Sequence, residues 1–397
     1  MSSKTKLIIT AACFVSFLGG FCITPIEHFI ENVDFSSITD STLVVSNNIN
    51  NLNLDTPRDG YNAWISPKGN LYMGVWEKGN LRYGTLITEK SVYEGELLNL
   101  SPHGYGIMYY NNGNIYKGNW KVGNKEGIGL KHNYDGSMFF GHWRAGLFNA
   151  PKDISHKVED FVYGIDLSKY QNSKAINWNN LALFSDADGE VYAHPQDNHQ
   201  YMHPVAFAFI KATQGINTDP HYANHLANAK KYKVIVGAYH FFTIDDDINA
   251  QIMNFIKTSK WEKGDLPPVL DLESEYRDQN AYIKKLRKYG VKKMQDDALR
   301  WLKAIEAYYK VKPIIYTSEV WKKNFLDNKE FDNYDFWLSR YYNIRPATYN
   351  PWTFWQRTCD AKPNGYNSVV DVNQYTGSFH SFILYRNSLN HQKTNER

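Results

Sequence analysis

Leu266-Pro267-Pro268-Val269-Leu270-Asp271-Leu272-Glu273 is a short apolar run that ends in two carboxylates. On a strand, residues two apart point the same way, roughly 6.5 Å apart along the chain. Acids so placed raise each other's proton affinity, so one of them can stay protonated near neutral pH. Seven further runs in the C-terminal half share this texture: Val162–Leu167, Val205–Ala212, Val234–Phe241, Pro313–Thr317, Phe336–Arg340, Thr353–Gln356 and Val369–Asn373. Nearly all of them end in a reactive or hydrogen-bonding group, namely Asp166, Lys211, His240, Tyr316, Gln356 and Asp371. Between the fourth and fifth runs, about Tyr282 to Tyr309, the apolar residues Ile283, Leu286, Met294, Ala298, Leu302 and Ile305 recur with helical spacing. Strands alternating with helices predict an α/β fold with a parallel sheet, and eight of them predict a closed TIM-like (β/α) barrel. Some connections after the fifth run are too short for full helices, so the barrel is expected to be irregular. The C-terminal strand ends of such a barrel form one rim, where carboxylates distant in sequence converge.

Glycosidic cleavage needs one acid to protonate the leaving oxygen and another to stabilise positive charge at the anomeric carbon. Taken alone, Asp271-x-Glu273 also reads as two exposed acids at a strand end or as a metal site. It is accompanied by Tyr163-Gly164-Ile165-Asp166-Leu167-Ser168 with Gln171, Phe209-Ile210-Lys211-Ala212-Thr213-Gln214-Gly215, Asp219-Pro220 and Val236-Gly237-Ala238-Tyr239-His240-Phe241. Pro313-Ile314-Ile315-Tyr316-Thr317, Phe354-Trp355-Gln356 and Val370-Asp371-Val372-Asn373 complete the order. In combination these motifs resemble glycoside hydrolase family 25, the Chalaropsis-type lysozymes, over about residues 161–377. The resemblance implies hydrolysis of the β-1,4 bond between N-acetylmuramic acid and N-acetylglucosamine, with retention and with no cofactor. It implies Glu273 as general acid and Asp271 as the second carboxylate, which stabilises the oxocarbenium-like state or orients the substrate acetamido group. Asp166 and Asp371 match two supporting acids on the floor of the site. Tyr239, Tyr316 and Gln356 are candidate sugar contacts, or rim packing. Two stretches depart from a plain barrel: Asp186–Pro204, with His194, His199 and His203, and Arg357–Ser368, which is placed to shape the cleft. The irregular spacing of the three histidines argues against a metal.

Residues 61–150 repeat. An aromatic-x-Gly unit recurs at Tyr72-Met73-Gly74, Tyr93-Glu94-Gly95, Tyr116-Lys117-Gly118 and Phe139-Phe140-Gly141, in steps of 21, 23 and 23 residues. Trp76, Trp120 and Trp143 follow by two, and a second glycine follows at Gly79, Gly123 and Gly146; the unit at Tyr93 has Leu97 in place of the tryptophan. Asn112-Gly113 and Asp135-Gly136 predict tight hairpin turns with both central residues at positive φ. Each unit is a hairpin too small to bury its aromatic face, so successive hairpins stack. The pattern resembles the membrane occupation and recognition nexus (MORN) repeat, met in full by Tyr116 to Gly129. It implies a spacer, a dock for the catalytic domain, or a surface that binds protein, lipid or wall polymer.

The chain has 397 residues, enough for two domains. Aromatic residues make up 15%, more than ordinary cores use and in keeping with a sugar cleft and an aromatic repeat. A formal charge of +3 gives no basic footprint for nucleic acid. Of the three cysteines, Cys13 and Cys22 lie in the N-terminal apolar stretch, and Cys359 reads as inert packing. Residues 1–24, with Lys4 and Lys6 before the uncharged run Leu7 to Thr24, read as a signal peptide or an uncleaved membrane anchor. Residues 25–60, rich in Asn, Ser, Thr and Asp, read as a flexible linker. The catalytic barrel is expected over 161–380 and a tail over 381–397. The expected protein is an exported or envelope-bound peptidoglycan hydrolase; the competing readings are a non-catalytic wall- or glycan-binding protein and a membrane scaffold.

Overall fold

The structure, a computed structural model, describes residues 59–135, 137–149, 161–191, 201–275, 278–341, 346 and 352–389. The expected leader over 1–24, nearly all of the expected linker, Gly136, His194 and His199 lie outside the described residues. The described residues fall into two compact units divided between residues 150 and 151.

The first unit is a nine-stranded antiparallel meander in chain order. Its strands are β1 (Gly60–Ile65), β2 (Leu71–Glu77), β3 (Asn80–Ile87), β4 (Ser91–Leu98), β5 (Ser101–Tyr110), β6 (Ile115–Lys121), β7 (Asn124–His132), β8 (Met138–Arg144) and β9 (Leu147–Asn149). The recurring aromatics form its core: Tyr72, Trp76, Tyr93, Tyr116, Trp120 and Trp143 are buried together, with Leu97 filling the place of the missing tryptophan. Tyr116 lies edge-on between Trp120 at 4.9 Å and Trp143 at 5.2 Å. Each of the three recurring tryptophans donates its N–H to a carbonyl 14 residues back: Trp76 to Asn62, Trp120 to Gly106 and Trp143 to Gly129. The repeat therefore persists because each indole ties its hairpin to the previous one. The tight turns lie elsewhere than at Asn112-Gly113, where only Gly113 has positive φ and four residues join β5 to β6. Two-residue turns with both φ positive occur at Lys78-Gly79, Asn99-Leu100, Val122-Gly123 and Ala145-Gly146. The second glycine is thus the second turn residue; in the unit without one, Leu100 takes that place at φ 63°, preceded by Asn99, a residue that tolerates the left-handed region.

The second unit is a closed eight-stranded barrel. Its strands are β10 (Tyr163–Leu167), β13 (Phe207–Gln214), β15 (Ile235–Phe241), β16 (Val269–Asp271), β17 (Ile314–Ser318), β18 (Asp335–Ser339), β19 (Phe354–Ala361) and β20 (Val370–Tyr375). All eight runs of the sequence supply one strand each, β10 closes the ring by pairing with both β13 and β20, and a short strand β14 (Asn217–Thr218) folds back antiparallel onto the end of β13. The expected parallel sheet fails at one strand, because β20 runs antiparallel to both neighbours. Only residues 362–369 join β19 to β20, fewer than the dozen or more that a parallel crossover needs.

Helices cover the barrel unevenly: α1 (Tyr222–Lys231), α2 (Ile248–Thr258), α3 (Gln279–Tyr289), α4 (Val291–Tyr309), α5 (Glu319–Phe325) and α6 (Phe379–Leu389). The alternation of a regular (β/α) barrel is therefore interrupted, since β10 is followed by a two-stranded sheet of β11 (Ala182–Ser185) and β12 (Tyr201–Pro204). The single helical stretch expected from 282 to 309 is two helices, broken at Gly290, whose φ of 104° lies outside the helical region. The segment read as a tail from 381 begins inside α6. Ile165, Ala208, Val236, Leu270, Ile315 and Leu338 face outward from the strands into a core with Phe255, Trp301, Leu302 and Ile305 of the helices. The interior holds Phe209 stacked on Trp337 at 4.4 Å, with Phe354 edge-on to Phe209 at 5.1 Å. Interior rings fill the barrel below the carboxylates, so the site has a floor.

Candidate active site

Asp166 is the penultimate residue of β10 and Asp271 the last of β16; both are buried. Glu273 lies two residues past β16, on a segment that continues the ladder through Leu272 N–H to the Tyr316 carbonyl (2.9 Å). Thr317 Oγ1 pins the same segment by donating to the Leu272 carbonyl at 2.7 Å. Leu272 is buried in the core outside the strands, so Asp271 and Glu273 share the other face, as the two-residue period requires. Asp371 was expected to end its strand; it is the second residue of β20. Because β20 is antiparallel, it begins at the rim where the parallel strands finish, and Asp371 stands directly opposite Asp166. The reversed strand thus brings the fourth acid to the others.

Burial decides the electrostatics. It drives the carboxyl of Asp271 well above its ordinary value, Glu273 raises it further, and Lys211 opposes both. Desolvation lifts Glu273 to about 7, again opposed by Lys211 and reinforced by Asp166. Asp371 is lifted to about 9 by burial and by the charge and hydrogen bond of Asp166. Asp166 is raised by burial, against the hydrogen bonds it receives from Asn373, Gln356 and Asp371. Asp271 Oδ1 is buried without a hydrogen-bond partner, an acceptor position facing the site.

The cation of the site is Lys211, buried on β13, with its Nζ donating to Gln214 Oε1 at 2.8 Å and lying 4.5 Å from the centre of the Phe241 ring. A bulge in β13 between Lys211 and Thr213 turns Thr213 towards His240 Nδ1 (2.7 Å) and leaves Lys211 and Gln214 lining a cleft of about 330 Å³ with Lys169, Asp219 and Glu275. His240 does not join the rim. It stacks on Trp301 at 5.5 Å, bonds Gln251 Oε1 at 3.0 Å, and burial depresses its pKa to about 3, so it is a neutral core residue.

Tyr316 and Gln356, the candidate sugar contacts, are buried and bonded to each other: Tyr316 Oη donates to Gln356 Oε1 at 2.8 Å. Gln356 Nε2 in turn donates to Asp166 Oδ2 at 2.9 Å. Tyr239 is also buried, with Asp166, Asp271 and Asp371 around its hydroxyl, all of which oppose its ionisation. Sequence reasoning missed three contributors. Tyr341 donates to Gln356 Oε1 at 3.0 Å, Asn373 Nδ2 donates to Asp166 Oδ2 at 2.9 Å, and Trp337 Nε1 donates to Asn373 Oδ1 at 2.8 Å. Of these, Asn373 stood within the Val370–Asn373 motif, whereas Trp337 reads in sequence as plain core. The motif residues Ser168, Gln171 and Asp219 staple loops: Gln171 Oε1 accepts from Ser168 N–H (3.0 Å) and Asp219 from Lys169 N–H (2.9 Å). His203 is likewise structural, buried with Nε2 2.8 Å from Ser185 Oγ, and Cys359 is exposed rather than packed.

Four half- to fully buried carboxylates and one buried ammonium at the mouth of a closed barrel define a general acid–base site of the glycoside-cleaving kind. Residues 165–366, just over half of the chain, match the model of glycosyl hydrolases family 25, and the chain belongs to that family of glycoside hydrolases. It is similar to the uncharacterized protein YegX of Escherichia coli K12, 29% identical over 219 residues, which cover 55% of this chain and 70% of YegX. Among solved structures it is similar to the bacterial lysozyme from Streptomyces coelicolor, with 26% identity, 57% of this chain and 98% of that one covered, and a TM-score of 0.45. A family 25 glycosyl hydrolase from Bacillus anthracis is similar at 25% identity, covering 59% of this chain and 98% of that one, with a TM-score of 0.43.

Proposed function

We propose that the barrel hydrolyses the β-1,4 bond between N-acetylmuramic acid and N-acetylglucosamine of peptidoglycan, with retention of configuration. Glu273 is the general acid that protonates the leaving oxygen. Asp271 is the second carboxylate, its unpartnered Oδ1 available to the substrate acetamido group or to positive charge at the anomeric carbon. Asp166 and Asp371 shape the field of the floor, and Tyr239, Tyr316 and Gln356 border the bound sugar. The observation that carries this reading is the lifting of Glu273 to about 7, beside further acids, which keeps a proton available near neutrality. Residues 1–24 export or anchor the chain, residues 25–60 are its linker, and the hairpin array is a MORN-type module that holds the enzyme at membrane or wall.

Digestion of defined peptidoglycan with the full chain, followed by mass spectrometry of the products, tests the reading. Muropeptides with a reducing muramic end are expected; release of peptides or of reducing glucosamine ends would exclude muramidase activity.

A further inference from the structure

Two amide side chains donate to one oxygen of the Asp166–Asp371 pair. An indole N–H only donates, so the oxygen of Asn373 must face Trp337 and its NH₂ must face Asp166. Gln356 lies the same way round, with Tyr316 and Tyr341 both donating to its carbonyl and its NH₂ on the same Asp166 Oδ2. Asp166 Oδ2 therefore receives two N–H donors, an environment that favours a carboxylate and leaves no place for a proton on that atom. Asp371, opposite in register and hydrogen-bonded to Asp166, must share one proton with it. From these contacts we infer that Trp337 and Asn373, together with the Tyr316–Gln356–Tyr341 cluster, are positioning residues that hold Asp166 as the anion and Asp371 as the neutral acid. The barrel floor then carries one negative charge, and that charge is on β10.

The consequence reaches the catalytic acid. Asp166 is one of the charges that raise Glu273. Holding Asp166 ionised keeps Glu273 protonated to higher pH than a neutral floor would. The other titratable groups facing the pair are Glu273 beyond β16, Asp271 at its end, Tyr239 on β15, Tyr316 on β17, Tyr341 beyond β18 and Cys359 on β19, with Lys211 of β13 towards Asp271 and Glu273. The amides of Gln356 and Asn373 are the donors to Asp166 Oδ2, and the indole of Trp337 fixes the sense of Asn373, which is why the control is assigned to them.

The activity arm of the test rests on the proposed peptidoglycan hydrolysis, whereas the protonation arm does not. Neutron diffraction from deuterium-exchanged crystals of the full chain near pH 7 should show a deuteron on Asp371 and none on Asp166. A deuteron on Asp166, or a bare Asp371, would overturn the inference. In Trp337→Phe the Asn373 amide is free to invert, Asp166 is less favoured as an anion, and Glu273 loses part of the charge that raises it. The alkaline limb of the pH–rate profile is then expected to move towards acid by about half a unit. A Trp337→Phe protein with uniformly lower rate and an unshifted profile would reduce Trp337 to packing and sink its positioning role. If no form hydrolyses peptidoglycan, the functional proposal fails, while the neutron result still decides this one.

Discussion

In the hairpin array each of the three recurring indoles finds its acceptor 14 residues earlier, on the neighbouring hairpin. In the barrel, Trp337 donates to a side chain 36 residues on, which itself reaches back 207 residues to Asp166. Both regions use buried tryptophans as hydrogen-bond donors, but only the array does so at one fixed spacing. The array uses its aromatic residues as identical local ties. The barrel uses its aromatic residues once each, and Trp337 and Tyr316 serve at the same time as packing and as hydrogen-bond donors. A local tie repeats in sequence and is visible there; a donor chain assembled by ring closure is not.

Substitutions in the two regions should therefore differ in kind. The largest effect is expected for Glu273→Gln, which should lower the rate of peptidoglycan hydrolysis on the order of 10²–10⁴-fold while leaving thermal unfolding unchanged. A rate near that of the parent chain would remove Glu273 from the acid's role. In the array, Tyr116→Ala should destabilise the meander by about 3–5 kcal/mol, since its ring lies between Trp120 and Trp143. Hydrogen exchange should show the loss confined to β4–β8, with the barrel amides as protected as before. Spread of the loss into the barrel would break the contrast between the two regions.

A third effect depends on pH. Asp371 binds its proton more tightly folded, at about 9, than unfolded, near 3.8. Its contribution to stability is present below the unfolded value and is lost as pH rises towards 9. Calorimetry should show barrel unfolding falling to lower temperature across that range, with a flatter dependence in Asp371→Asn; parallel curves would contradict the shift. The smallest effect is expected in a turn. Val122, β-branched, sits at φ 47°, and Val122→Asn should stabilise the array by roughly 1 kcal/mol, read as a higher unfolding midpoint.

The same contrast explains what was legible in the chain. Eight apolar runs ending in polar groups located the eight barrel strands, because strands buried on both faces read as near-continuous hydrophobic runs. Asp166, Asp271, Glu273 and Asp371 stood out as acids at strand ends. Strand direction was not legible from composition, and the shortness of residues 362–369, which decides it, acquires meaning only once β19 and β20 are known to be neighbours. Periodicity carried across Gly290 because α3 and α4 both bury one side, so the break left no mark in the apolar pattern. Trp337 and Tyr341 gave no signal, since their role depends on where Asn373 and Gln356 lie across the ring.

The reversal of β20 also settles where the polypeptide leaves the barrel. Having entered at the carboxylate end, the strand delivers α6 to the opposite end, where Phe382 meets Phe207 at the start of β13, Tyr385 meets Asp335 at the start of β18, and Arg386 holds the Gly264 carbonyl. A fluorophore, affinity handle or surface tether attached at an exposed position on the last turn of α6 would thus sit on the side remote from the carboxylates.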